Sequence, residues 1–254
     1  MDASTADRTL TAGTSGSTYG STYPQRRRRT GSDAPREHAI TDKRLIAVTA
    51  RANGFGKRLF DFTAAACGLI VLAPILLTVA LIVHLGDRGP AIYGHKRVGR
   101  HGRQFKCLKF RSMVRDGDAV LARHLEENPE AAIEWRDTQK LKDDPRVTLI
   151  GKFIRKTSID ELPQLWNVLV GDMSLIGPRP ITRSELDRYG KARRYYLLVR
   201  PGITGLWQVS GRSTTTYERR VELDRNYLEN WSYQRDAMIL LMTVPALLRS
   251  EETA

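Results

Sequence analysis

Phe62-Thr-Ala-Ala-Ala-Cys67-Gly-Leu-Ile-Val-Leu-Ala73-Pro74-Ile-Leu-Leu-Thr-Val-Ala-Leu-Ile-Val83 is a run of 22 residues without a charge. A run of about 18 or more is long enough for a membrane helix. Pro74 sits near its middle, where the ring removes a backbone donor and bends a helix. The flanks are equally basic, with five Lys/Arg in residues 42–61 and five in residues 84–103. Lys/Arg-rich flanks stay on the cytoplasmic side, so neither end has a reason to cross. A helix–break–helix that enters and leaves by one face satisfies both observations. A straight span remains an alternative; a buried core helix fits less well, because every face of the run is apolar.

Outward from this run, the composition is basic. The 254 residues carry 41 Lys+Arg against 28 Asp+Glu, a formal net charge of +13. Mean hydropathy is −0.39, an average that hides the apolar run. The charge calls for an anionic partner: nucleic acid, phospholipid headgroups or a phosphorylated substrate. Cys67 and Cys107 are the only thiols, which excludes a disulfide-framed scaffold and a Cys-x-x-Cys zinc site and suits a reducing compartment. Residues 1–42 hold only Leu10 and Ile40 among Leu, Ile, Val and Phe, too little apolar area to offset ordering, and are expected to form a disordered tail. No apolar segment near the start marks a secretory signal. The tail carries +1, so the remaining 212 residues carry +12.

Beyond the apolar run, Ala91 to Arg97 and Gln104 to Phe110 flank a turn at Gly99-Arg-His-Gly102 and predict a short β-hairpin. Helices are expected over Asp118 to Glu127 and Pro129 to Leu141, the second with Pro in its first turn. Ser158-Ile-Asp-Glu161 has the form of a capping box, followed by Leu162, Leu165, Trp166 and Leu169 at helical spacing up to Gly171. Thr182-Arg-Ser-Glu185 is a second capping box, opening a polar helix towards Leu198. Ala237 to Leu248 is too short to span and reads as an interfacial or packed helix.

Three clusters could carry chemistry. In Arg155-Lys-Thr-Ser-Ile-Asp160-Glu161, cations precede a helix start bearing adjacent carboxylates. The plainer account is structural, since acids favour first turns and Glu161 is the ordinary capping partner. The functional one is an anion site whose positive field keeps Asp160 ionised and able to attack phosphorus. In Gly171-Asp-Met-Ser-Leu-Ile-Gly-Pro178-Arg179-Pro180, two prolines fix the backbone around Arg179, whose planar fork suits phosphate oxygens; a rigid turn with a solvated Arg is the alternative. Arg200-Pro-Gly-Ile-Thr-Gly-Leu-Trp207-Gln208-Val-Ser-Gly211-Arg212 could hold a nucleotide or simply pack. Lys106, Lys109 and Arg111 add positive charge on the second hairpin strand, with a solvated face as the default.

Other chemistries are poorly supported. The histidines at 38, 84, 95, 101 and 124 form no metal-spaced pair, and Gly54-Phe-Gly-Lys57 is only a fragment of a phosphate loop. Nucleic-acid binding would use the same charge, but no helix-turn-helix or zinc pattern appears and the apolar run would go unexplained.

Together and in order, these segments resemble the bacterial sugar transferase family, the monotopic phosphoglycosyl transferases that begin lipid-linked glycan assembly. The resemblance is carried by Lys57-Arg-Leu-Phe-Asp61, Gly89-Pro90, Arg97-Val-Gly-Arg100, Phe105 to Met113, Asp144-Pro-Arg-Val147, Gly151 to Val170, Gly171 to Pro180 and Arg200 to Arg212, spanning about residues 55–250. It departs at Ala73-Pro74, where the family commonly has Ser-Pro, so a hydroxyl that could satisfy a freed carbonyl is missing.

The resemblance implies transfer of a sugar 1-phosphate from a UDP-sugar to polyprenyl (undecaprenyl) phosphate with Mg2+, releasing UMP, as the first membrane step of exopolysaccharide or surface glycan synthesis. Asp160 would be the nucleophile, forming a phosphosugar–enzyme intermediate, and Glu161 would hold Mg2+. Lys109, Arg155 and Arg179 match basic positions near the phosphates; Arg111, Arg200 and Gln208 complete the expected substrate-binding set. The Gly205 to Arg212 loop looks more like members using glucose or galactose. The implied fold is α/β: a small, mostly helical catalytic domain with a short β-hairpin, a proline-broken re-entrant membrane helix and interfacial amphipathic helices. The expected division is a tail at 1–42, a membrane-flanking helix at 43–61, the re-entrant segment at 62–85 and a cytoplasmic catalytic domain at 86–250. The chain resembles the bare catalytic module, on the cytoplasmic face of the bacterial inner membrane and docked on anionic lipid. No nucleic-acid partner is implied, and oligomeric state stays open.

Overall fold

The computed structural model describes residues 36–138, 140–211 and 215–248. Most of the expected tail, and Arg212 of the third cluster, lie outside them. Helix α1 (Arg36–Ala52) begins inside the stretch expected as tail, and α2 (Phe55–Asp87) follows after Asn53-Gly54. The hairpin forms as read: β1 (Ile92–Val98) runs antiparallel to β2 (Gln104–Phe110), with Arg97 opposite Phe105 and Tyr93 opposite Lys109. Then come α3 (Gly117–Glu127), α4 (Pro129–Thr138) and α5 (Leu149–Lys156). A 3₁₀ turn at Ile159–Glu161 leads to α6 (Gln164–Val170) and β3 (Ser174–Ile176). Two short helices, α7 (Arg183–Arg188) and α8 (Arg193–Leu198), precede β4 (Gly202–Thr204), and α9 (Leu206–Val209), α10 (Tyr217–Glu229) and α11 (Tyr233–Leu248) complete the described chain.

The apolar run is the centre of α2. Among the described residues, it supplies the one helix long and apolar enough to cross a membrane. The expected break is not an interruption, because the helix continues on both sides of Pro74. At 1.5 Å per residue, its 33 residues would extend about 50 Å if straight. Lys57, Asp61, Ala65, Val79 and Val83 are buried, and Leu69, Leu72 and Leu76 pack between them at helical spacing. That stripe meets Leu165, Val168 and Phe105 in its first half and Phe110 and Ile154 in its second. Each valine fully buried in this way contributes about 1.5–3 kcal/mol. Phe62, Ile70, Val71, Ile75, Leu77, Leu81 and Leu85 remain exposed on the other faces.

Both ends of α2 are pinned to the same body. Near the start, Arg58 donates to the carbonyls of Val168 (2.5 Å) and Leu169 (2.7 Å). Lys57 lies 2.9 Å from Asp61 and 3.1 Å from Asp236, and Asp236 also accepts from Tyr227 and Trp231. At 3%, 2% and 4% exposure, these three charges form a buried cluster in which each depends on the others. Near the end, Arg111 donates to Asp87 at 2.7 Å.

Two helix readings need correction. Ser158 has φ 56°, a left-handed conformation unlike the extended one an N-cap needs, and its side chain makes no capping bond. The helix expected from Ile159 therefore starts as a 3₁₀ turn and becomes α-helical only at Gln164. The capping box at Thr182 and Glu185 does form, but Gly190 at φ 51° divides the polar helix into α7 and α8.

The parallel pairing of β3 with β4 was not foreseen. It joins Ser174 to Gly202 and Ile176 to Thr204, bringing the second and third clusters side by side. Glycine makes the approach feasible: a Cβ on Gly202 would sit 2.1 Å from the Gly177 nitrogen, and one on Gly205 would sit 2.1 Å from the Gly177 carbonyl oxygen.

Candidate functional site

One cleft of about 350 Å³ draws on all the clusters, lined among others by Lys109 of β2, Glu161 and Gln164, Arg179 and Gln208. Asn167 ties its two walls. Its side chain accepts from the Leu108 N–H and donates to the Lys106 carbonyl, both at 2.9 Å, so α6 completes the outer edge of β2. This sets Lys109 against the carboxylates that precede α6.

Lys109 Nζ is 2.6 Å from Glu161 and 3.6 Å from Asp160. Asp160 is 8% exposed. Burial pushes its carboxyl up to about 6, and the Glu161 charge adds to the rise, while Lys109 and Arg155 oppose it. The expectation that a helix terminus would favour its ionisation is thereby corrected: the short turn offers little field, and desolvation outweighs the cations. A carboxylate of this kind is ionised at neutral pH yet more basic than a surface aspartate, which suits a nucleophile or proton acceptor.

Arg179 stands between Pro178 and Pro180 with its guanidinium 5.3 Å from the centre of the Trp207 ring. It makes no ion pair among the described residues, and burial lowers its pKa. A largely desolvated guanidinium on a cleft, with the Glu161 charge acting only at longer range, is suited to receive an anionic ligand.

The other expected residues are dispersed. Arg155 is exposed, donating to the Ser112 hydroxyl at 2.8 Å, and reaches Asp160 only through its charge. Gln208 lines the cleft. Arg111 is engaged with Asp87 at the end of α2. Arg200 donates to the Gly171 carbonyl at 2.8 Å and lines a separate cavity with Lys57, Arg58 and Asp61. Reading the sequence gave no role to Arg97, which lines the cleft, or to Arg220, 4.9 Å from the Trp207 ring centre. Arg97 stood in the Arg97-Val-Gly-Arg100 stretch of the resemblance without an assigned role, whereas Arg220 had no signal beyond the basic composition.

A carboxylate pair facing a lysine, with the Arg179 guanidinium on the same cleft and a membrane-length helix before the domain, is an arrangement suited to group transfer between anionic substrates. The chain belongs to the bacterial sugar transferase family, whose sequence model matches residues 52–250. It is 49% identical over 197 residues to the exopolysaccharide production protein ExoY of Sinorhizobium fredii, covering 78% of this chain and 87% of that protein. It is 51% identical over 204 residues to the undecaprenyl-phosphate galactose phosphotransferase of Salmonella typhimurium, covering 80% of this chain but 43% of that longer protein. A UDP-glucose:undecaprenyl-phosphate glucose-1-phosphate transferase of Klebsiella pneumoniae is 40% identical over 196 residues, 74% of this chain and 39% of its own length.

Proposed function

We propose that this protein transfers glucose 1-phosphate or galactose 1-phosphate from a UDP-sugar to undecaprenyl phosphate, in the first membrane step of exopolysaccharide or surface glycan synthesis. The observation that carries the reading is the convergence of Glu161, Lys109 and Arg179 on one cleft beside the long apolar helix, with Asp160 3.6 Å from Lys109. The names of the relatives support the substrate classes.

In this reading the ionised Asp160 attacks the sugar-bearing phosphorus of the donor. A bond forms between the carboxylate oxygen and phosphorus, the bond to the nucleotide's phosphate breaks, and UMP leaves. A phosphate oxygen of the lipid then attacks the same phosphorus and frees Asp160. Lys109 and Arg179 lower the repulsion between anionic nucleophile and anionic substrates. Glu161, with Asp160 beside it, offers the donor set suited to Mg2+, which is commonly held by one or two carboxylates plus substrate phosphates. When bound, the ion would supply further charge neutralisation at the phosphates.

The apolar helix fits an acceptor at headgroup depth. The buried stripe of α2 follows the domain through both halves, and both ends are tied to it by Arg58 and Asp87. A helix crossing the bilayer would carry one end away from a domain on the other side. The contacts therefore support a helix that stays with the domain at one face of the bilayer along its whole length. The exposed Leu149 and Phe153 of α5, beside Lys152 and Lys156, suit the same interface, as do Leu241 and Val244 of α11.

The test is incubation of the chain in nanodiscs with Mg2+ and radiolabelled UDP-glucose or UDP-galactose, without acceptor. Label should remain on the protein with release of UMP, and Asp160→Asn should abolish both. Absence of label and of UMP release with either donor would overturn the mechanism.

A further inference from the structure

The cleft carries positive charge that the mechanism above does not use. Arg97 lines it beside Arg179, which the mechanism does use, and Arg220 stands 4.9 Å from the Trp207 ring centre. Among the described residues, the one carboxylate within ion-pair distance of these three guanidinium groups is Glu185, 3.1 Å from Arg97 and 3.5 Å from Arg220. Nε and Nη2 of Arg220 are buried without hydrogen-bond partners. Glu161 and Asp224 act on Arg179, and Asp224 on Arg220, only at longer range, so at contact distance the three guanidinium groups share a single carboxylate and Arg179 has none.

The fold fixes Arg97 beside Arg179. The Val98 N–H donates to the Ile181 carbonyl at 2.9 Å, joining the end of β1 to the chain just beyond Pro180. The Tyr196 hydroxyl donates to the Val98 carbonyl at 2.7 Å and accepts from the Ile181 N–H at 3.2 Å, locking the same junction. Glu185 is held in turn by the capping box, its Oε2 accepting from the Thr182 N–H at 2.8 Å while it meets Arg97.

Strand register separates the two cationic positions of the hairpin. Arg97 pairs with Phe105 and Tyr93 with Lys109, so Arg97 and Lys109 share a face four residues apart, about 13 Å along the strand. Both long side chains nevertheless reach one cleft, Lys109 towards Asp160 and Arg97 into the part that Arg179 also lines. A nucleoside diphosphate sugar makes different demands on its two phosphates. The sugar-side phosphorus must sit against the nucleophile, whereas the nucleotide-side phosphate gains charge as its bond breaks and needs cations there.

We propose that Arg97, oriented by Glu185, is a further substrate-binding residue that grips the nucleotide-side phosphate of the donor, the one that departs with UMP. The inference rests on the UDP-sugar reading above. Arg220 adds positive charge beside Trp207, and Glu185 acts as a positioning residue.

The experiment compares wild type, Arg97→Ala and Arg97→Lys in nanodiscs, measuring UMP binding by calorimetry, the donor KM and the lipid-phosphate KM. Arg97→Ala should weaken UMP binding and raise the donor KM by about tenfold or more, leaving the acceptor KM in place. Arg97→Lys should recover part of the loss, because it keeps the charge without the fork. Unchanged UMP affinity in a folded Arg97 variant would overturn the inference, as would equal weakening of UMP and lipid-phosphate binding, which marks a general structural role. If Arg97→Ala does not fold, Arg97→Lys carries the same comparison. A wild type that neither binds nor releases UMP overturns the donor reading itself; a wild type that binds UMP no better than its folded variants removes only the role of Arg97.

Discussion

Replacing Lys109 by Met should move the acid limb of catalysis to higher pH. The ammonium lies 3.6 Å from Asp160 and its side chain is 30% exposed. At an effective dielectric near 20, that separation corresponds to about 4–5 kcal/mol of attraction. Solvent screening and the closer contact with Glu161, at 2.6 Å, reduce the share acting on Asp160 to about 1–3 kcal/mol, or about one to two pH units. In wild type, burial places the Asp160 carboxyl at about 6. Without Lys109, burial and the Glu161 charge act with only Arg155 opposing them, so the carboxyl should titrate at about 7–8. Met keeps much of the aliphatic stem, which limits repacking. The assay is the initial rate of UMP release in nanodiscs from pH 5 to 9, read as kcat/KM for the donor, which reports groups of the free enzyme. Lys109→Met should also lower the plateau if Lys109 attends the substrate phosphates as proposed, but the position of the limb is independent of its height. A limb that stays in place or moves to lower pH would refute the assignment of Asp160 as the titrating nucleophile under the control of Lys109.

Further outcomes follow from the same geometry. Asp160 has a higher pKa folded, about 6, than its ordinary 3.8, so its contribution to stability is present at low pH and is lost as pH rises through 6. Asp160→Asn should therefore abolish turnover yet raise the melting temperature at pH 8, by about 3 kcal/mol in stability, with the gain vanishing near pH 4. A lower melting temperature at pH 8 would count against the burial argument. Lys57→Met leaves Asp61 and Asp236 buried without their cation and should cost about 3–5 kcal/mol, seen as a large fall in melting temperature that Lys57→Arg partly avoids. Gly202→Ala drives a methyl to within 2.1 Å of the Gly177 nitrogen, so it should part β3 from β4 and abolish UMP binding; retained binding would show that the pairing does not set Arg179. Single cysteines replacing Phe55 and Arg88, in a chain lacking Cys67, should both react with an impermeant thiol reagent from the cytoplasmic side alone, and reaction from opposite sides would mean a crossing helix.

The parts of the fold visible in the sequence are those with local causes. The apolar run dictates α2, alternation and a Gly-rich turn dictate the hairpin, and Thr182 with Glu185 dictates the start of α7. The Ser158 box has the same letters and fails, because backbone conformation at one residue decides whether a side chain can reach the turn. β3 and β4 span three residues each, too few to show a period, and their partners lie 28 positions apart, where no local pattern can point. Within the site, the clusters around Asp160 and Arg179 were legible, and the resemblance supplied their roles. Burial of Asp160, and the meeting of Arg97 and Arg220 at Glu185 beside Arg179, were not, since both arise only once distant segments meet.

If the proposed transfer holds, the reach of α6 accounts for how a soluble-looking domain would work on a lipid phosphate. Its end is held by α2, through Arg58 and the Val168 and Leu169 carbonyls. Its middle is held by β2, through Asn167 and the strand edge that leads to Lys109. The turn preceding it carries Asp160 and Glu161. Any change in the depth of α2 must therefore move the nucleophile with it, and any change in the hairpin must move Lys109 relative to Asp160. On this arrangement, the apolar helix does more than attach the enzyme to a surface. On the proposed function it would set the height at which Asp160 meets a headgroup, and Asn167 would keep the cationic wall at the same height.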